Sequence, residues 1–149
     1  MLNSLTASIP YIADLLRVSP HALYERQRAL VTEGLLKSKP GRGPGSGTPF
    51  SAETVAVLII SMLATDSIKD SAEATRALCD ARLMALPLGQ EDELGRPQTF
   101  KVAMVNALSS DAFVNKINFL RVHRRSFMVE IFTEDDQARE EPLAGKIFT

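Results

Sequence analysis

Ile12-Ala13-Asp14-Leu15-Leu16-Arg17-Val18-Ser19-Pro20-His21-Ala22-Leu23-Tyr24 is the stretch on which the reading of this 149-residue chain turns. Ser19 makes a good helix N-cap, because its short hydroxyl side chain can accept from the open N–H groups of a first helical turn. Pro20 suits the next position, where a missing N–H costs nothing. The spacing predicts a helix from Pro20 to about Glu33, with Gly34 able to take the left-handed conformation that ends a helix. At 100° per residue Leu23, Gln27, Leu30 and Val31 share one face and are expected to pack. His21, Glu25, Arg28 and Thr32 share the opposite face, which is expected to look outward. On the other side of the Arg17-Val18 turn, Ile9, Ile12, Ala13 and Leu16 stand at helical spacing. Pro10 is read there as the first turn of a helix running to about Leu16, and Val18 as a plug that seats the turn in the core.

Outward from this pair, Leu35-Leu36 and Thr48-Phe50 are expected as short strands flanking Pro40-Gly41-Arg42-Gly43-Pro44-Gly45-Ser46-Gly47. Ser51 caps a third helix, about Ala52 to Ala64, whose nearly unbroken Val55 to Ile60 run predicts burial on most sides. Asp70 and Glu73 resemble a capping box, opening a fourth helix that carries Ala74, Ala77, Leu78, Ala81 and Leu83-Met84 before Pro87. Leu88 to Pro97 reads as an exposed linker. A fifth helix is expected from about Gln98 to Leu108 and a short sixth from Asp111 to Lys116. Ile117 to Val122 and Phe127 to Thr133 then alternate as strands around the basic turn His123-Arg124-Arg125-Ser126. Lys146 to Thr149 adds a third short strand after the acidic loop Glu134 to Glu141.

The expected fold class is mainly α, of the α+β type. Residues 1–50 are read as a winged helix-turn-helix and 51–97 as a helical core or oligomerisation region. Residues 98–149 are read as a small α+β module with a short hairpin or small antiparallel sheet.

Charge is unevenly placed. The chain is −1 overall, yet residues 1–50 hold six Lys or Arg (Arg17, Arg26, Arg28, Lys37, Lys39, Arg42) against three acids, a balance of +3. Residues 51–110 hold five bases against eight acids, and the remainder six against seven. Positive potential that attracts phosphates is therefore expected at the N-terminal end. Two helices, a short turn and an outward polar face are the minimum grammar of a helix-turn-helix, whose second helix enters the DNA major groove by its N-terminal half while the first crosses the backbone.

Ile12-Ala13-Asp14-Leu15-Leu16, Val18-Ser19-Pro20, Leu23-Tyr24-Glu25-Arg26, Gly34-Leu35-Leu36 and Phe50-Ser51-Ala52-Glu53-Thr54-Val55, in that order, resemble the winged-helix proteins of the MerR and excisionase-like superfamily. The resemblance covers about the first half of the chain. It implies a phosphate-gripping wing and a recognition helix starting at Ser19, in a prokaryotic or phage regulator that usually acts as a dimer. The chain departs from that pattern in a longer second helix, a wing richer in glycine and proline, and no long antiparallel dimerisation helix, so effector binding and dimer geometry are not carried over.

His21, Glu25 and Arg28 are the expected groove-facing residues, and Ser19 with Tyr24 the expected backbone contacts. Arg28 is the sharpest of these, since a guanidinium can bond O6 and N7 of guanine together; its other reading is a solvated residue paired with Glu25 or Glu33. Lys37, Lys39 and Arg42 are placed in the wing. The glycine run has neither the Gly-Lys-Ser/Thr ending of a P-loop nor Rossmann glycine spacing. Arg121, His123, Arg124 and Arg125 form a second basic cluster, read as a further DNA contact, a partner-binding edge or a solvated hairpin tip.

Cys79 is the one cysteine, read as a small buried apolar residue, and with His21 and His123 it makes no metal set. No cofactor is expected. Nor is an enzyme, because no nucleophile, oriented base and oxyanion donor stand together. The longest apolar run, Val55 to Ala64, is too short to span a bilayer, and Met1 to Pro10 lacks the basic-then-apolar order of a secretory signal, so a cytoplasmic protein without membrane contact is expected. The expected function is that of a sequence-specific transcriptional regulator whose N-terminal part binds double-stranded DNA and whose acidic C-terminal half makes a homodimer or meets a protein partner. Alternatives are a phage DNA-packaging component of the small-terminase type and a protein-binding inhibitor or adaptor module.

Overall fold

Ser4, not Pro10, begins the first helix. Its side chain accepts from the Ala7 N–H, and the Leu5 N–H is taken by the Thr48 carbonyl at 2.8 Å, so α1 spans Leu5–Leu16 with Pro10 inside it. Leu5, Ile9 and Ile12, at intervals of four and three, sink into the core. The computed structural model describes residues 4–41, 46–82, 99–115, 117–133 and 146–148. It is a mixed α+β chain that divides into two compact units, Met1–Arg76 and Ala77–Thr149.

In the first unit α1 is followed by α2 (Pro20–Thr32), α3 (Ala52–Ala64) and the start of α4 (Ser71–Asp80). Both ends of α2 follow the expected chemistry. The Ser19 side chain accepts from the Ala22 N–H, Pro20 opens the first turn, and at the far end Gly34 sits at φ +74°. The Gly34 N–H reaches the Val31 carbonyl and the Leu35 N–H the Leu30 carbonyl, a Schellman closure. That closure explains a departure from expectation: Leu35-Leu36 is no strand, because the N–H groups of both residues are spent on the Leu30 carbonyl. Lys39 and Gly47 make the antiparallel pair instead, while Pro49, within the expected Thr48-Phe50 segment, pairs with Ser4.

α1 ends by the same device with a different residue. The Arg17 N–H bonds the Asp14 carbonyl and the Val18 N–H the Ala13 carbonyl, with Arg17 at φ 54° and ψ 44° where glycine is the usual occupant. Val18 is half-buried beside the turn it was expected to plug. α3 carries a capping box in which Ser51 and Thr54 serve each other's N–H groups, and Ala56, Val57, Leu58, Ile60 and Ala64 are buried along it.

α4 ends at Asp80 rather than running through Ala81 to Leu83-Met84. The Ala81 carbonyl accepts from the Phe100 N–H at 2.8 Å and Arg82 pairs with Thr99, which draws the backbone out of the helix. Leu83-Met84, the Leu88 to Pro97 linker and the acidic loop from Glu134 lie outside the described residues.

In the second unit Thr99 caps α5 (Phe100–Ser109), whose Phe100, Ala103, Met104 and Ala107 are buried, and a single turn, α6 (Asp111–Val114), follows. Three antiparallel strands come next, β1 (Ile117–His123), β2 (Met128–Thr133) and β3 (Lys146–Phe148), in the order β1-β2-β3. Leu120 and Val122 stand opposite Ile131 and Val129, so one face is apolar; Phe119, Arg121 and His123 stand opposite Phe132, Glu130 and Met128 on the other. The second strand starts one residue later than expected because Phe127, at φ 50°, belongs to the turn.

Candidate nucleic-acid interface

The outward face of α2 follows from what its inward face does. Leu23, Arg26, Gln27 and Leu30 are buried. Gln27 donates through Nε2 to the Thr6 hydroxyl at 2.9 Å, fastening α2 to α1. Arg26, only 5% exposed, donates through Nη1 to the Ser61 carbonyl at 2.8 Å and through Nη2 to the Asp66 carbonyl at 3.2 Å. Ser61 belongs to the last turn of α3, where carbonyls lack helical partners and the helix dipole is negative, so a cation is favoured there. Arg76 does the same for α2, reaching the Glu33 carbonyl at 3.5 Å.

By sequence Arg26 is one of six phosphate-attracting bases; in the fold it is a strut between helices, and the exposed positive charge of this region is smaller by one. Its signal was legible: Arg26 lies three residues after Leu23 and four before Leu30, inside the apolar stripe.

With those residues turned in, Ser19, His21, Tyr24 and Arg28 are exposed on α2 or its cap, and Glu25 is half-buried. Arg28 Nη1 lies 3.3 Å from Glu25 Oε1, the pairing given above as its other reading. With Arg28 64% exposed, such a pair is worth only about 0.2–0.5 kcal/mol, weak enough for the guanidinium to exchange it for a base edge or phosphate.

Lys37 and Lys39 are exposed, and Arg42 lies outside the described residues. The segment between Lys39 and Gly47 is closed at its base by two backbone bonds, Lys39 N–H to the Gly47 carbonyl at 3.0 Å and Gly47 N–H to the Lys39 carbonyl at 2.8 Å. Gly47 reaches this geometry at φ +86°. The neck therefore holds Lys39 at the base of the glycine run.

Arg17, one of the six bases of residues 1–50, stands in the turn between α1 and α2. It is exposed, and its left-handed backbone costs an L-residue about 1–2 kcal/mol. A strained arginine between two helices points to a task for its side chain. Arg17→Gly is expected to raise the unfolding free energy by about 0.5–1 kcal/mol in urea denaturation, the relief of strain outweighing the freer unfolded chain.

In the second unit Cys79 is buried, as expected. Desolvation pushes its thiol up to about 11 from 9.0, the Lys101 ammonium opposing the rise and the Asp80 carboxylate adding to it. The thiol stays neutral in the fold while an unfolded chain ionises it above about pH 9, so its contribution to stability is lost as pH climbs from 9 to 11, by about 2–3 kcal/mol. Urea midpoints measured across that range should fall more steeply for the parent than for Cys79→Ala.

Across the β1–β2 sheet Arg121 Nη1 and His123 Nε2 both reach Glu130 Oε2, at 3.3 and 3.1 Å. Phe119 stacks on Phe132 with ring centres 4.3 Å apart, and the Arg121 guanidinium stands 5.5 Å from the Phe132 ring centre. Among the described residues no trio of His, Cys, Asp or Glu could hold a metal ion, and no helix is long and apolar enough to cross a membrane. Comparison of the chain with family models, with curated proteins and with solved structures gives no match, so the roles assigned to these residues rest on their own geometry.

Proposed function

We propose that residues 4–50 form a winged helix-turn-helix of the kind carried by MerR and excisionase-like proteins, and that the protein is a sequence-specific transcriptional regulator of double-stranded DNA, of prokaryotic or phage type, acting as a homodimer. The observation that carries this reading is α2 itself: a helix capped at both ends, fastened inward by Gln27 and Arg26, that leaves His21, Tyr24 and Arg28 exposed. In this arrangement α2 enters the major groove by its N-terminal half. Ser19, Tyr24 and the strained Arg17 grip the sugar-phosphate backbone, while Lys37 and Lys39, with Arg42, take phosphates from the glycine loop as a wing.

The test is selection of bound sites from a randomised duplex pool, followed by anisotropy titrations on the selected site and on a scrambled one. A recurring two-fold motif is expected. Lys37→Ala combined with Lys39→Ala should weaken both duplexes alike and reduce the slope of log K against log salt by about 2, one counterion-releasing contact for each lysine. Binding that does not respond to salt, or a pool that yields no motif, would falsify this reading.

A further inference from the structure

The hairpin of the second unit carries a different kind of surface. Residues 117–133 hold three arginines, Arg121, Arg124 and Arg125, against one acid, in a stretch of chain that is otherwise acidic. That acid, Glu130, has an 11% exposed side chain and is shared between Arg121 and His123, so its charge is engaged from two sides. On the same face Phe119 is 45% exposed while stacked on Phe132, and Arg121 stands over the Phe132 ring. At the tip Arg124, Arg125 and Ser126 are exposed, with the Ser126 N–H bonded to the His123 carbonyl and Phe127 in the left-handed conformation, a local geometry that holds the two arginines at the turn.

We propose that this sheet face binds single-stranded DNA, an unpaired base continuing the Phe132–Phe119 stack while Arg124, Arg125 and Arg121 take the flanking phosphates. Every base offers a π-face, so an aromatic stack rimmed by cations holds single strands with little regard to sequence. A duplex, whose bases are already stacked on one another, cannot use Phe119 in this way. An acidic peptide would meet the arginines and leave the ring unused. The surface lies in the second unit and acts independently of the groove contacts proposed for α2; the choice of DNA over RNA rests on that earlier reading.

The test uses the full chain and labelled oligothymidylate, with oligouridylate of equal length and a scrambled duplex as the other arms. Oligothymidylate binding is expected to weaken roughly ten-fold or more in Phe119→Leu and to be kept in Phe119→Tyr, since leucine preserves apolar packing and only tyrosine preserves stacking. Arg124→Ala with Arg125→Ala should lower affinity and the salt slope together. In all these variants duplex binding stays at the parent level, and loss of duplex binding through Arg28→Ala leaves the single-strand signal in place. Equal oligothymidylate affinity in the leucine and tyrosine variants overturns the proposal, as does a ten-fold preference for oligouridylate. A Phe119→Leu variant that loses self-association with no change in oligothymidylate binding also overturns it, and makes the face a contact between copies.

Discussion

Arg26→Ala is expected to lower the unfolding free energy by about 3 kcal/mol. The substitution removes the charge-assisted hydrogen bonds to the Ser61 and Asp66 carbonyls and empties the space of a packed side chain between α2 and the end of α3. Arg26→Lys should recover part of the loss, because an ammonium restores the charge opposite the α3 carboxyl end but cannot fork to two carbonyls. Arg26→Met should stay close to the alanine value despite its similar bulk. Urea unfolding of the three variants separates these contributions. A cost below about 1 kcal/mol for alanine would mean that water replaces the guanidinium without penalty, and the role of strut would fall.

The second large effect concerns recognition. Arg28→Ala should weaken binding to the selected duplex by about 10- to 100-fold, the range of a bidentate arginine–guanine contact of about 1–3 kcal/mol, while a scrambled duplex loses far less. The half-buried Glu25 partner adds little to this number, because its pairing with the exposed Arg28 is already weak in water. Thr32→Ala serves as the control: its hydroxyl is spent on the Arg28 carbonyl at 3.0 Å, in the last turn of α2, and duplex affinity should not change. Equal losses on both duplexes would make Arg28 a phosphate contact.

The limits of α2 were legible in the sequence because both are local: Ser19-Pro20 at one end and Gly34 at the other specify their own hydrogen bonds. The start and end of α3 and the three strands were legible for the same reason, through Ser51 and through period-two alternation. What was misread depends on partners far along the chain or on a rule with a stronger competitor. Pro10 suits a first helical turn, but Ser4, with Leu5, Ile9 and Ile12 in register behind it, offers a capped start earlier in the chain. Leu35-Leu36 has strand composition, yet its N–H groups go to the helix it follows. α4 stops at Asp80 because of Phe100 and Thr99, some twenty residues on.

The candidate site divides in the same way. The outward set of α2 follows from periodicity, whereas the burial of Arg26 needs the open carbonyls of α3, and the left-handed Arg17 closes its helix without the glycine that announces such an end.

The neck at Lys39 and Gly47 has an implication for how such a protein can change. Because two main-chain bonds seal the base, a change of length between Lys39 and Gly47 is a matter of chain closure, and doubling the span costs only about 0.6 kcal/mol in closure entropy. On the regulator reading proposed above, target preference then drifts by insertion and deletion at this one place.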